Sequence, residues 1–361
     1  MAFSPTRLLL ARQRRRLTKQ TLAQQSAVPA RLLGKFEEGQ AEPERPQLDR
    51  LATVLKFPLD FFFLDEPEVV GPDRASFRSM ASMSQRTRDA VLAAAAIAID
   101  INAKIEAAFY LPGLDLPDLA GELPETAAAT LRAHWGLGNF AVPNLVHVLE
   151  ARGVRVFSLA EDCRTVDAFA LWDDATPYVF LNTLKSAEHG RWDAAHELGH
   201  LVLHRNQENR GESAEKEANR FAAAFLMPEP ALRSMPGIPS ADDLVRHKKR
   251  WGVSAVALAR RLHTIGIMPD WYYERLMIEV SRRGWRTSEP EGMPRETSQI
   301  FDKVFGHWRE RGISPASVAA QFRLHPDELS AFVFGRILHT LQGQGRLEAP
   351  SKTARSGLRL V

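Results

Sequence analysis

Apolar residues recur at helical spacing through most of this chain and alternate in strand fashion only in a few short stretches near its middle. Arg7–Arg15 reads as a first helix and Lys19–Ser26 as a second, with Leu22 and Ala23 inward. After a short turn at Ala27-Val28, Pro29–Glu38 reads as a third, closed by Gly39. Leu48, Leu51, Ala52 and Leu55 mark a fourth helix, and Pro58 to Phe63 a fifth. Two short helices joined this tightly suggest a helix-turn-helix. Glu66-Pro67 and Gly71-Pro72 then mark a hinge or linker. Ser84–Tyr110 reads as one long helix, apolar at Val91, Ala94, Ala98, Ile101, Ile105 and Phe109. Two roles are open for it: a buttress to the following core, or a homodimer interface.

Further on, a helix from residue 124, a second at Val142–Arg152 and a strand at Val154–Phe157 precede a hairpin. Its arms are Asp167–Trp172 and Tyr178–Asn182, around Asp173 to Pro177. From Trp192 to His204 there is no proline; Asp193 is placed to cap a helix, and Ala194, Ala195, Leu198, Leu201, Val202 and Leu203 make it apolar nearly all round, hence buried. A second helical pattern from Glu215 stops at Met227-Pro228. Ser240–Arg282 is helical again, as are Gln299–Glu310, Pro315–Phe322 and Pro326–Gly335. His325-Pro326-Asp327-Glu328 reads as a helix start with acidic residues on the dipole. From Gly343 the chain turns polar, Gly-rich and basic, as a mobile tail does, and no internal repeat is evident. The expected fold is α+β and mainly helical, with a small β-sheet packed on the Trp192–His204 helix. The expected domains are a five-helix unit at 1–66, a linker and long helix at 67–123, the sheet-containing domain at 124–282, a helical region at 283–342 and a flexible tail at 343–361.

Composition adds three constraints. At 361 residues the chain has room for two or three domains. Its single Cys163 excludes an internal disulfide and fits a reducing cytoplasm; the longest apolar stretch, Ala90–Ile99, breaks at Asp100 and is too short to span a bilayer. Residues 1–50 hold ten Lys/Arg and five Asp/Glu, a net of +5, whereas the whole chain is +3 and the remainder therefore −2. A basic surplus at one end points to a nucleic-acid contact, with a solvated basic helix face as the alternative.

Candidate chemistry lies in His196-Glu197-Leu198-Gly199-His200. Histidines four apart share one helix face and reach a single ion, while Glu197, one position round, is placed to act on water as a general base. Such a site needs a third ligand from elsewhere. Glu217 shares a stripe with Phe221 and Ala224, and on the residues alone it is equally open as a ligand or a solvated carboxylate; Glu215 fits an exposed first turn. His204 is too far along the axis for the same ion and suits the helix end, facing the dipole. A peptide would lie along an edge strand, with Tyr178–Asn182 the candidate. Tyr178, Tyr272, Tyr273 and His263 are available as oxyanion partners but read as core or surface residues.

The run His196 to His204, with Glu217-Ala218-Asn219-Arg220-Phe221-Ala222-Ala223 and Leu226-Met227-Pro228 after it, resembles the ImmA/IrrE family of metallopeptidases. The strand-like Tyr178–Asn182 fits, as do Trp251-Gly252-Val253-Ser254, Ala257-Leu258, Arg261-Leu262, Gly284-Trp285-Arg286 and Glu289-Pro290, so the resemblance covers roughly 70–335. It implies a zincin-like HExxH…E site of His196, His200 and Glu217 around one Zn²⁺ (Mn²⁺ or another divalent ion being the alternative), with Glu197 catalytic. It also implies a protease that cuts one partner protein, a transcriptional repressor, in stress or mobile-element control. Leu17-Thr18, Leu22-Ala23, Val28, Phe36-Glu37-Glu38-Gly39 and Leu51-Ala52 are similar to the phage-repressor (XRE) DNA-binding family over about sixty residues. That similarity implies a structural Arg12–Glu37 pair and base contacts from the start of the third helix, with double-stranded DNA as the ligand. Ala27 replaces the family's usual turn glycine, Ser26 its usual apolar residue, and Pro29 a polar side chain, leaving Arg31 and Lys35 as polar candidates and Lys19 for a phosphate. The combined expectation is a cytoplasmic zinc endopeptidase fused to a DNA-binding unit. The alternative is a regulator whose peptidase fold only senses or binds.

Overall fold

The computed structural model describes residues 2–68, 70–71, 83–159, 166–205, 211–237, 240–335 and 359–360. At its centre is a three-stranded sheet ordered β2 (Arg155–Leu159), β4 (Thr176–Asn182), β3 (Ala168–Asp173). β4 pairs parallel with β2 and antiparallel with β3, and Asp174 turns the β3–β4 hairpin at φ +48°. The expected hairpin is therefore present, but Tyr178–Asn182 is the internal strand. Its Tyr-Val-Phe-Leu run is buried on both faces, which suits a strand with neighbours on either side. β3 and β2 are the edges.

The sheet separates two apolar cores. Phe157, Phe169, Tyr178 and Phe180 point into one; Val156, Ala170, Val179 and Leu181 point into the other. Residues one apart on a strand face opposite ways, so a single short sheet serves both.

The first core contains the N-terminal helices α1 (Pro5–Arg14), α2 (Lys19–Ser26), α3 (Ala30–Glu37) and α4 (Arg45–Leu55), followed by a 3-10 turn at Leu59–Phe63. Ala27 holds the left-handed conformation (φ +52°) between α2 and α3, where glycine would be less strained. Against α1 lies α5 (Gln85–Glu106), capped by Ser84. Its expected face, Val91, Ala94, Ala98, Ile101 and Ile105, is buried within the one chain, in the core shared with the N-terminal helices and not in the core that follows it. Arg7 of α1 pairs with Asp100 of α5 and donates to the Asp65 carbonyl (2.7 and 2.9 Å). The long helix ends earlier than expected: Phe109–Tyr110 is β1, paired antiparallel with β5 (Arg359–Leu360), inside the segment expected to be a free tail.

The second core holds α6 (Pro124–His134), α7 (Leu145–Ala151), α8 (Ala187–Leu203), α9 (Glu212–Leu226), α10 (Glu229–Arg233), α11 (Ala241–Trp251), α12 (Ala255–Thr264) and α13 (Asp270–Arg282). α8 starts well before Asp193. Ser186 is its N-cap, accepting from the His189 amide, and Asp193 sits buried mid-helix. Downstream loops fix α8 in place: Arg191 pairs with Glu296, which also accepts from the Leu145 amide (3.0 Å). Glu188 pairs with buried Lys248 (3.2 Å), which also holds Glu289 (3.1 Å), and Glu289 caps α12 through the Ala255 amide (2.9 Å).

α14 (Gln299–Glu310), α15 (Pro315–Gln321) and α16 (Pro326–Phe332) return to the first core. Among the described residues no helix is long and apolar enough to cross a membrane. Cys163, Pro72 and most of the expected tail lie outside the described residues.

Candidate metal centre

α8 and α9 touch closely because α8 offers Gly199. A Cβ there would meet Phe221 at 3.0 Å and the Ala218 backbone at 3.2 Å. This close approach carries the N-terminal half of α9 over the histidine face of α8. His196 Nε2 and His200 Nε2 lie 3.1 Å apart, and the Glu215 carboxylate is 3.3 Å from the first and 3.4 Å from the second. Tetrahedral ligands at zinc distances of about 2.0–2.1 Å are separated from one another by about 3.3–3.4 Å. Two imidazole nitrogens and a carboxylate, all within 4.8 Å of one another, therefore have both the chemistry and the spacing for a divalent ion. Glu197, one position round, is buried beside them.

The expected ligand Glu217 is not part of this group. Two residues along a helix rotate a side chain by about 200°, so Glu215 and Glu217 face opposite sides of α9. Glu215 shares a helical stripe with buried Ala218, Ala222 and Phe225, and Ala218 lies against Gly199 of α8. The signal in the sequence was small Ala218, one turn on from Glu215, opposite Gly199. Phe221, on the Glu217 stripe, also meets Gly199, so the apolar stripes alone do not tell the two carboxylates apart.

Glu217 instead meets His204, with Oε2 3.1 Å from Nε2. His204 is the C-cap of α8, as expected for a helix end, but it is fully buried, with its Nδ1 3.0 Å from His200 Nδ1. One tautomer set satisfies the whole chain of contacts while leaving His200 Nε2 a free lone pair. In it His200 Nδ1–H donates to His204 Nδ1, and His204 Nε2–H donates to the Glu217 carboxylate.

The electrostatics are those of a cation site. Burial opposes ionisation of Glu215, but hydrogen bonds from His196 and His200 outweigh it and hold its carboxyl well below the usual range. Burial also opposes charge on His196, and the carboxylates of Glu215, Glu197 and Asp193 outweigh it, raising its pKa. The His204 hydrogen bond lowers Glu217. Burial, helped by Asp167, pushes Asp193 up to about 7.

A pair of histidines with a carboxylate and a buried second glutamate is the donor set of a hydrolytic metal site. Residues 149–263 match the Peptidase_M78 family, the IrrE N-terminal-like domain. No curated protein matches the chain. The IrrE N-terminal-like segment runs from the end of α7 through the sheet, α8 and α9 to α12, and so contains His196, Glu197, His200 and Glu215. The match is to a metallopeptidase family, and it supports the ImmA/IrrE resemblance over those residues.

The N-terminal candidates lie far along the chain from that segment. Arg31 and Lys35 are exposed on α3. Lys19, at the start of α2, has Nζ 3.5 Å from Glu37 and 3.9 Å from Glu38. The Arg12–Glu37 pair implied by the repressor resemblance is present, with Nη2 donating to Oε2 at 2.9 Å.

Proposed function

We propose that this chain is a zinc-dependent endopeptidase that cuts a specific regulatory protein, and that its N-terminal helices are a helix-turn-helix binding double-stranded DNA. The observation that carries the catalytic part is the convergence of His196, His200 and Glu215 at ligand spacing, with Glu197 buried alongside. His196, His200 and Glu215 would hold the ion. When bound, zinc supplies Lewis acidity, polarising a carbonyl and acidifying water.

The chain's own residues do the rest. Glu197 takes the proton of the attacking water and returns it to the leaving amine. His204 and Glu217 orient the His200 ring and fix its tautomer. The peptide adds along the outer edge of β3, which is the edge strand packed on α8. DNA contact is proposed for Arg31 and Lys35 with bases and Lys19 with a phosphate.

The test is incubation of the full chain with the repressor encoded beside its gene, with zinc and with a chelator. Cleavage that needs the metal and vanishes in Glu197→Gln is expected. Cleavage that survives either treatment overturns the mechanism. Absence of any cleavage, with repressor bound, would favour a sensing or docking module instead.

A further inference from the structure

Residues 299–335 repeat the N-terminal helices, residue for residue, at one constant separation. The α1 end and the α14 end are each followed by a left-handed residue, Arg16 (φ +55°) and Gly312 (φ +70°). Leu17 N donates to Arg12 O as Ile313 N donates to Trp308 O. Thr18 caps α2, accepting from the Thr21 amide and touching its hydroxyl (2.8 Å); Ser314 caps α15 with Ser317 in the same way (2.9 Å). Leu22 and Val318 are buried at the same place in the next turn. The turn residues Ala27 (φ +52°) and Arg323 (φ +57°) correspond, as do buried Val28 and Leu324. Leu33 and Phe36 of α3 have Leu329 and Phe332 of α16 as counterparts, all buried.

The pair α12–α13 provides an internal contrast. It begins alike, with left-handed Gly252 before the Ser254 cap, but α12 runs ten residues and α13 does not start until Asp270. A left-handed residue, Gly266, follows there too, but twelve positions after the cap; nine positions from hydroxyl cap to left-handed turn, with a helix next, occur among the described residues at Thr18–Ala27 and Ser314–Arg323.

Chemistry separates the two copies. Where α3 exposes Arg31 and Lys35, α16 has Asp327 and Ala331; Glu328 and Ser330, the counterparts of Leu32 and Gly34, are buried. Acidic residues at that helix start repel phosphates. Beside exposed Asp327, the side of α16 that carries Glu328 and Ser330 is covered by protein. Glu328 forms an ion pair with Arg14 Nε (2.9 Å) and accepts from Arg15 Nη1 (2.6 Å) at the end of α1. Arg323 pairs with Asp60 (2.6 Å), and Arg14 lies over the Phe332 ring. On the sheet side, Ser158 of β2 donates to the Ala331 carbonyl (2.7 Å) and accepts from the Phe334 amide (2.8 Å).

We infer that residues 299–335 are a second helix-turn-helix whose reading helix has become a protein-docking surface, with the arginine-bearing end of α1 as its partner. It holds the N-terminal unit against the sheet and leaves α3 open. The docking rests on contacts independent of what α3 binds. Calling α16 a former reading helix rests on the proposed DNA-binding reading of α3.

Hydrogen exchange by mass spectrometry on the full chain tests the docking. Removing one partner of a buried ion pair strands the other charge, so Glu328→Gln should speed exchange in Pro5–Arg14 and Pro326–Phe332 by at least about tenfold. α8 and α9 should stay protected, and exposed Asp327→Asn should change nothing. Exchange unchanged in Glu328→Gln overturns the dock, as does a loss of protection spread evenly over the chain. A gel shift on duplex DNA gives the second readout: Arg31→Ala should weaken binding and Asp327→Ala should not. A loss with Asp327→Ala would mean that α16 reads DNA, overturning the conversion. If no duplex binds, the DNA reading of α3 fails while the exchange result still decides the dock.

Discussion

At α8 and α9, side chains of opposite charge converge in a buried space; at α2 and α3, the cations spread over an exposed surface. Both regions are, in sequence, local clusters of a few residue types. They fare differently once folded. The candidate metal centre gains from burial, because His196 and His200 each meet the Glu215 carboxylate at about 3.3–3.4 Å. The basic N-terminus loses by it. Arg7, Arg12, Arg14 and Arg15 all carry ion pairs inside the chain, with Asp100, Glu37, Glu328 and Glu328 respectively. Charge counted along a sequence is therefore not charge presented to a ligand. The field left at α3 comes chiefly from Arg31 and Lys35.

The largest effect that would break this contrast is at Glu197. Glu197→Gln should reduce repressor cleavage by about 10²–10⁴-fold while bound metal per chain, measured by elemental analysis, stays at the parent level. Unchanged cleavage would leave the converging site without its base. Next comes the pair of α9 carboxylates. Glu215→Ala should lose most of the bound metal. Glu217→Ala should keep it at saturating zinc and weaken affinity by about 10–100-fold through the His204 hydrogen bond, read by competition with a chromophoric chelator. The reverse order of effects would restore Glu217 as the ligand.

This pair also marks how much was legible in the sequence. His196, Glu197 and His200 could be placed because their spacing on one helix is fixed by the helix itself. The third ligand belongs to another helix, and its choice depends on how α9 rotates about its own axis, which Gly199 and Ala218 decide by their close approach. Both Glu215 and Glu217 have apolar residues at helical spacing, so the pattern alone chooses neither. The strands were legible as apolar runs, but the identity of the edge was not, since sheet order is a long-range property of β2 and β4. The repeat at the C-terminus escaped for a different reason. Its matches are small caps, left-handed residues and single apolar positions, and Arg31 against Asp327 disguises the correspondence.

A stability measurement probes how firmly the two regions are joined. Glu150 of α7 accepts from the amides of Gln299 (3.0 Å) and Ile300 (3.3 Å) at the start of α14, and burial pushes its carboxyl up to about 7. A folded pKa above the unfolded value of 4.5 means that the fold favours the protonated form. Its stabilising contribution is full below about pH 4.5 and is lost as pH rises through about 7. Denaturant unfolding should therefore show a decline of roughly 3 kcal/mol over that window from this group, flattened in Glu150→Gln. An identical pH profile in the variant would show that Glu150 is not the group responsible.

The smallest effect belongs to the exposed cations, and it decides whether the N-terminal surface has a ligand at all. Arg31→Ala with Lys35→Ala removes two charges that no ion pair in the described structure neutralises. If α3 lies against DNA, operator affinity in a gel shift should fall several-fold, and every phosphate left without its cation should reduce the slope of log affinity against log salt by about 1. Lys19→Ala should do less, because Glu37 and Glu38 already hold part of its charge. Arg14 should not matter directly, since it is buried on Glu328 and faces away from any groove. A double variant that binds as tightly as the parent, with an unaltered salt slope, would reduce the N-terminal unit to a packing element and leave the candidate metal centre without a DNA-binding companion.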